Sequence, residues 1–156
     1  MSEHLGDPNP EADALMAETG ALLVGNRTYG GGDPNAGIDK EGAFGGQWSG
    51  PQIVLTHDPN RKTQDTGTIL IGDFDDAVTA AKAAAGAKYV NVLGADIARQ
   101  CIEAKLLDEV MVFIAPVLLG DGVRLFAHQG GTNVRLEPLN RPGTGRSPGL
   151  RFRVAR

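Results

Sequence analysis

A chain of 156 residues, 41% apolar and 22% charged with a formal net charge of -4, has the length of one domain and the composition of a globular fold. No apolar run approaches the roughly 20 residues of a membrane helix, and the acidic balance argues against nonspecific nucleic-acid binding, which rests on basic surface. The single cysteine, Cys101, excludes an internal disulfide framework and fits a reducing compartment.

The opening segment "MSEHLGDPNPEADAL" is acidic and polar, unlike a signal peptide. Residues 11–20 read as a short helix stopped by Gly20, and "ALLVG" (21–25) as a buried strand. Residues 30–50 are glycine-rich without periodicity and predict a mobile surface loop. "QIVLT" (52–56) and "TILIG" (68–72) are two further strands. The clearest helix follows, capped by Asp73 and ended by Gly86, with Phe74, Ala77, Val78, Ala81 and Ala85 on one face. "KYVNVLG" (88–94) predicts a strand, residues 96–106 a helix capped by Asp96, and "DEVMVFIAPVLL" (108–119) another strand. "TNVRLEPLN" and "GLRFRVAR" alternate apolar with polar residues, as half-solvated antiparallel strands do. The strand–helix alternation from Ile69 to Ile114 implies a parallel sheet with right-handed crossovers, and the last strands an antiparallel edge.

Ligands of an open α/β sheet collect at the carboxyl ends of its strands. Here those ends read "GNRT" (25–28), "LTHD" (55–58), "IGDF" (71–74) and "LGAD" (93–96). Glycine lets a ligand approach the backbone, and a helix start offers free N–H groups to an anion. Arg27 and Thr28 add a guanidinium and a hydroxyl; Thr56 and His57 add polar groups from another strand. A dinucleotide phosphate suits that set. Any one of these glycines alone is an ordinary turn, and it is their joint occurrence that carries the reading. His4, His57 and His128 lack metal-ligand spacing, so no metal site is expected. Cys101 falls on the apolar face of its helix, as an inert core thiol does. Asp108 and Glu109 read as a solvated turn.

"LLVGNRTY", "QIVLTHDP", "VNVLGADIARQCIEAKLLDEV" and above all "IAPVLLGDGVRLF" resemble the dihydrofolate-reductase-like superfamily. The nearest branch is the reductase domain of the riboflavin-biosynthesis deaminase/reductase. The resemblance covers roughly residues 14 to 156. It implies one α/β domain over 1–156 with a three-layer dihydrofolate-reductase-like fold and a mostly parallel central sheet with antiparallel C-terminal strands. It also implies a cytoplasmic, NADPH-dependent oxidoreductase, often a homodimer, acting on a small pterin-, pyrimidinone- or flavin-precursor-like molecule. Carried over by position, Gly25, Asn26, Arg27 and Thr28 match the segment contacting the cofactor phosphates. Thr56 and His57 match the strand end near the adenosine ribose phosphate, and Leu93, Gly94 and Ala95 the loop under the pyrophosphate. Trp48, in the glycine-rich loop, is the candidate to close over substrate. No catalytic acid is assigned.

Three departures from the family pattern stand out. Asn26 replaces a common arginine, and Gly94-Ala95 replaces a double glycine, with Asp96 beside it. The family's first strand, expected between those at 88–93 and 108–114, has no counterpart. These two strands are therefore expected to pair directly, or to receive a segment of this chain or of a partner. The alternative function is a non-catalytic nucleotide- or ligand-binding remnant of the same fold. The apolar "LLGDGVRLF" is expected to turn out of its strand at Gly120–Gly122 and return Leu125 and Phe126 to the core.

Overall fold

The computed structural model describes residues 9–31, 42–63, 66–141 and 147–156. Residues 32–41 of the glycine-rich loop, on which the expectation of mobility largely falls, lie outside the described residues. The chain forms two compact units: residues 14–97, and residues 98–156 with the N-terminal residues through Asp13.

The first unit holds β1 (Thr19–Gly25), α2 (Asn26–Gly30), β2 (Gln52–Leu55), β3 (Thr68–Ile71), α3 (Phe74–Ala85) and β4 (Tyr89–Leu93). Its four strands form a parallel sheet in the order β3-β2-β1-β4. Ala21, Leu22, Leu23 and Val24 are all buried, the unbroken apolar run of a strand covered on both faces. With Ile53 and Val54 beside them they form the core of the sheet. Burying each such Leu, Ile or Val contributes about 1.5–3 kcal/mol. Helix α3 lies on β1 and β2 and buries Ala77, Val78, Ala81 and Ala85. Asp73 caps it, accepting from the Asp76 N–H at 3.0 Å.

α1 (Pro10–Glu18) starts one position before the predicted helix. Asn9 sets its start: Oδ1 accepts from the N–H groups of Glu11 and Ala12 at 3.1 and 3.2 Å. The helix ends before Gly20, because Thr19 and Gly20 already belong to β1. The Thr19 hydroxyl donates back to the Leu15 carbonyl at 2.7 Å. Gly20 has a different reason to be glycine. A Cβ there would sit 2.5 Å from the carbonyl oxygen of Ala85, so β1 passes the end of α3 only without a side chain.

The second unit contains a three-stranded antiparallel sheet, β5 (Glu109–Phe113), β6 (Leu136–Pro138) and β7 (Gly149–Val154), in the order β5-β7-β6. The predicted strand over 108–119 is thus shorter, and it does not continue the parallel run. It pairs with β7, from Glu109 opposite Arg153 to Phe113 opposite Gly149. Of the pair expected as a solvated turn, Glu109 is an ion-paired strand residue, while Asp108 precedes the strand and pairs at the surface. Arg151 Nε donates to Glu109 Oε2 at 2.6 Å, and Arg156 pairs with Asp108. Glu11 and Asn140 close one end of this sheet. The Gly149 N–H donates to Glu11 Oε2 at 2.9 Å, and Asn140 bonds both Gly149 O and the Arg151 N–H. α4 (Ala95–Glu103) buries Ile97 and Cys101, as its sequence pattern predicts.

Of the outcomes expected for the missing first strand, direct pairing does not occur: β4 ends the parallel sheet and β5 ends the antiparallel one, and insertion of a further segment stands as the expectation. Among the described residues, neither outer edge carries a partner strand. Residues 114–126 leave β5 and belong to no strand. Gly120 turns it at φ +76°. Leu125 does not re-enter the core but is 64% exposed, with Leu118 wholly exposed and Val123 90% exposed; Phe126 is half-buried.

Candidate functional site

Because β1 lies between β2 and β4, the parallel sheet brings their carboxyl ends side by side. Gly25 stands opposite Leu55 on one flank, and Val24 opposite Leu93 on the other. Neighbouring strands are about 4.8 Å apart. The predicted residues Gly25, Asn26, Arg27, Thr28, Thr56, His57, Leu93, Gly94 and Ala95 therefore share one end of one sheet.

On the β4 flank, Gly94 has φ +113°, a conformation that L side chains avoid. A Cβ there would also lie 2.7 Å from Thr28 Oγ1. Gly94 is thus required twice over, by its own backbone and by the Thr28 hydroxyl pressed against it. Gly25 differs. Its backbone is ordinary, at φ -74°, and a Cβ would meet nothing nearer than Ile97 Cγ2 at 3.9 Å. The fold leaves this glycine free, so what its bareness provides is open space above the strand end.

On the β2 flank, Thr56 is 4% exposed, and its hydroxyl accepts from the Asp58 N–H at 3.2 Å while its N–H donates to Ile71 O at 2.9 Å. The hydroxyl shapes the turn that presents His57, which is exposed. Arg27 and Thr28 are exposed on the five-residue helix α2. Asn26 at its start is half-buried, and its Oδ1 is buried with no hydrogen-bond partner among the described residues. A buried acceptor without a donor costs about 1–3 kcal/mol, and a bound hydroxyl or amide would supply the donor.

Trp48 is held elsewhere. Its indole N–H donates to Thr19 O at 3.3 Å, at the start of β1. Its ring packs on the Leu22, Val24 and Val54 cluster. The start of β1 is roughly 20 Å from its end by strand rise, so the structure gives Trp48 packing contacts and does not gather it with the glycine segments. Among the described residues, no group of His, Cys, Asp or Glu is arranged to hold a metal ion.

Two residues at this end escaped the sequence reading. Tyr29 of α2 packs against the Leu22–Val24–Val54 cluster, and the guanidinium carbon of Arg61 lies 5.5 Å from the centre of its ring. Nothing in "DPNRKT" separates Arg61 from a solvated turn residue; only the fold brings it to Tyr29.

A family model described as the RibD C-terminal domain matches residues 7–145. No curated protein matches the sequence. Over 97% of its length the chain is similar to a protein from Shewanella sp. PV-4 assigned to riboflavin biosynthesis, at 20% identity and TM-score 0.73, covering 82% of that chain. It is similar over 96% of its length to the riboflavin biosynthesis reductase of Saccharomyces cerevisiae, at 17% identity and TM-score 0.62, covering 82% of that chain. A Thermotoga maritima diaminohydroxyphosphoribosylaminopyrimidine deaminase/5-amino-6-(5-phosphoribosylamino)uracil reductase matches over 96% of this chain at 12% identity and TM-score 0.59. The chain covers 50% of that protein. At these identities the likeness is one of fold.

Proposed function

The chain belongs to the RibD C-terminal domain family, and from that premise we propose that it is an NADPH-dependent reductase of a small heterocycle. A pyrimidinone bearing a phosphoribosylamino group, as named for the Thermotoga protein, is the substrate class we favour. The observation that carries the reading is the convergence of Gly25–Thr28, Thr56–His57 and Leu93–Ala95 at one end of the parallel sheet.

The residues present suit a nicotinamide dinucleotide. Gly25 leaves its backbone open to close approach, Arg27 offers a charge, and Thr28 offers a hydroxyl beside Gly94. The unpaired Asn26 Oδ1 suits a sugar hydroxyl or the nicotinamide amide. When bound, the cofactor supplies the reducing equivalents; the protein binds, orients and excludes water. Arg27 and Thr28 hold phosphate oxygens, and Thr56 fixes the turn that presents His57. The exposed Asp96 carboxylate and the Ala95 methyl stand on the β4 flank, where they limit how closely an anion approaches Gly94. The protein acts in the cytoplasm as a homodimer in this reading. Its exposed apolar residues between Ile114 and Leu125 support a covered surface.

The test is loss of 340 nm absorbance with NADPH and a panel of pyrimidinone, pterin and flavin-precursor substrates. Turnover supports the reductase. NADPH binding by calorimetry without turnover assigns the ligand-binding alternative, and absence of binding removes the cofactor site altogether.

A further inference from the structure

We propose that Asp121 and Gly122 form a covalent modification site, at which the chain closes on itself to a cyclic imide and reopens as isoaspartate. The site stands apart from the reductase reading, since it lies in a different segment and needs no ligand.

The sequence singles out the position. Asp121 is the one aspartate followed by glycine, and no asparagine is followed by glycine. A side chain on the following residue crowds the main-chain nitrogen that must attack the carboxyl; glycine has none. The structure adds proximity and freedom. The Gly122 N–H donates to Asp121 Oδ1 at 2.7 Å, so nitrogen and carboxyl are already in contact. Nothing around them restrains ring closure. Residues 114–126 belong to no strand or helix, and Asp121 and Gly122 are exposed. A Cβ at Gly122 would meet nothing within 4 Å, and the same holds at Gly120, where φ is +76°. Among the described residues, no backbone–backbone hydrogen bond reaches residues 118–126. Other aspartates lack these conditions. Asp75, Asp76 and Asp96 are held in helices, and Asp58 precedes a proline, which has no N–H.

The step balances without an oxidant or a co-reactant. The Gly122 nitrogen attacks Asp121 Cγ; the N–Cγ bond forms, a Cγ–O bond breaks, and the amide proton leaves with the carboxyl hydroxyl as water. Water then reopens the ring. Cleavage of the N–Cγ bond restores aspartate. Cleavage of the original peptide bond leaves the chain joined through Cγ, with a free α-carboxylate and one more methylene in the main chain. That methylene falls between the exposed Leu118 and Val123. The free α-carboxylate is the group that isoaspartyl methyltransferases esterify with S-adenosylmethionine.

Incubation of the dilute full chain in water enriched in heavy oxygen, followed by tryptic mapping, tests this. Each passage through the imide writes one heavy oxygen into the fragment spanning residues 106–124. Resistance to cleavage at Asp121 by an aspartate-specific protease, with methyl transfer from S-adenosylmethionine, identifies isoaspartate. Label and isoaspartate should collect at Asp121 and not at Asp108 of the same fragment. Gly122→Ala should slow conversion by about tenfold, or ~1.4 kcal/mol in the barrier. Asp121→Glu should abolish it, because the larger ring closes far less readily. A synthetic peptide of residues 114–126 gives the rate without the fold. The folded chain should match it within about threefold, since exposed backbone free of hydrogen bonds opens at almost no cost. A greater slowing than that overturns the proposal by showing that the fold protects the site. Equal conversion at Asp108 and Asp121, or none at either, also overturns it, as does a Gly122→Ala chain that converts at the wild-type rate.

Discussion

At the scale of single residues, two glycines that look alike in sequence do different work. Gly94 is fixed by φ +113° and by the Thr28 hydroxyl, so Gly94→Ala should destabilise the fold by about 1–3 kcal/mol, seen as a lower urea midpoint. Gly25 has ordinary dihedrals and room for a methyl. Gly25→Ala should leave that midpoint within about 0.5 kcal/mol of wild type yet weaken nucleotide binding, because the methyl fills space above the strand end. A loss of stability in Gly25→Ala equal to that in Gly94→Ala would assign Gly25 to the fold. Arg27→Ala should weaken NADPH and NADH alike, by roughly 1.5–3 kcal/mol for a charge-assisted contact to the shared pyrophosphate; a loss confined to NADPH in paired titrations would place Arg27 on the 2′-phosphate instead. The sequence displays both glycines after strands but not the difference between them, because that difference lies in how closely Thr28 approaches one and not the other. Arg61 and Tyr29 were invisible for the same reason. Their proximity depends on α2 and the β2–β3 connection meeting in space.

At the scale of elements, legibility follows repetition. α3 has an Asp cap, a helical apolar face and a terminal glycine, and it forms as read. Asp73→Ala removes the acceptor of the Asp76 N–H and should cost about 0.5–2 kcal/mol, measured by urea unfolding. An unchanged midpoint would mean that water replaces the cap. α2 spans five residues, too few for a period to show, and was missed. β5 was read too long because "IAPVLL" is as apolar as the strand before it. A strand, however, lasts only as long as its partner. β7 begins at Gly149, the last bond beyond it joins the Ile114 N–H to Pro148 O, and Pro116 has no N–H to offer. Its direction was misread as well. A strand after a helix suggests a parallel crossover, whereas the partner chosen here lies downstream in the chain.

At the scale of the whole molecule, the exposed Leu118 and Val123 test the proposed homodimer. Replacing both with Asp should shift sedimentation toward the monomer with little change in melting temperature, since neither side chain is buried in the single chain. An unchanged sedimentation coefficient would put the dimer contact elsewhere. The edges of β4 and β5, without a partner strand among the described residues, carry a consequence of their own. One belongs to a parallel sheet and the other to an antiparallel sheet. If β5 joins its own copy about a two-fold centred on Met111, Glu109 faces Phe113, no like charges meet, and assembly stops at two. If β4 of one copy takes β5 of the next, each addition leaves one edge of each kind at the growing ends, and growth stops only if the chain of copies closes into a ring. The same pair of edges thus separates a dimer from a larger assembly, and light scattering that rises without plateau as concentration increases would identify an open fibre.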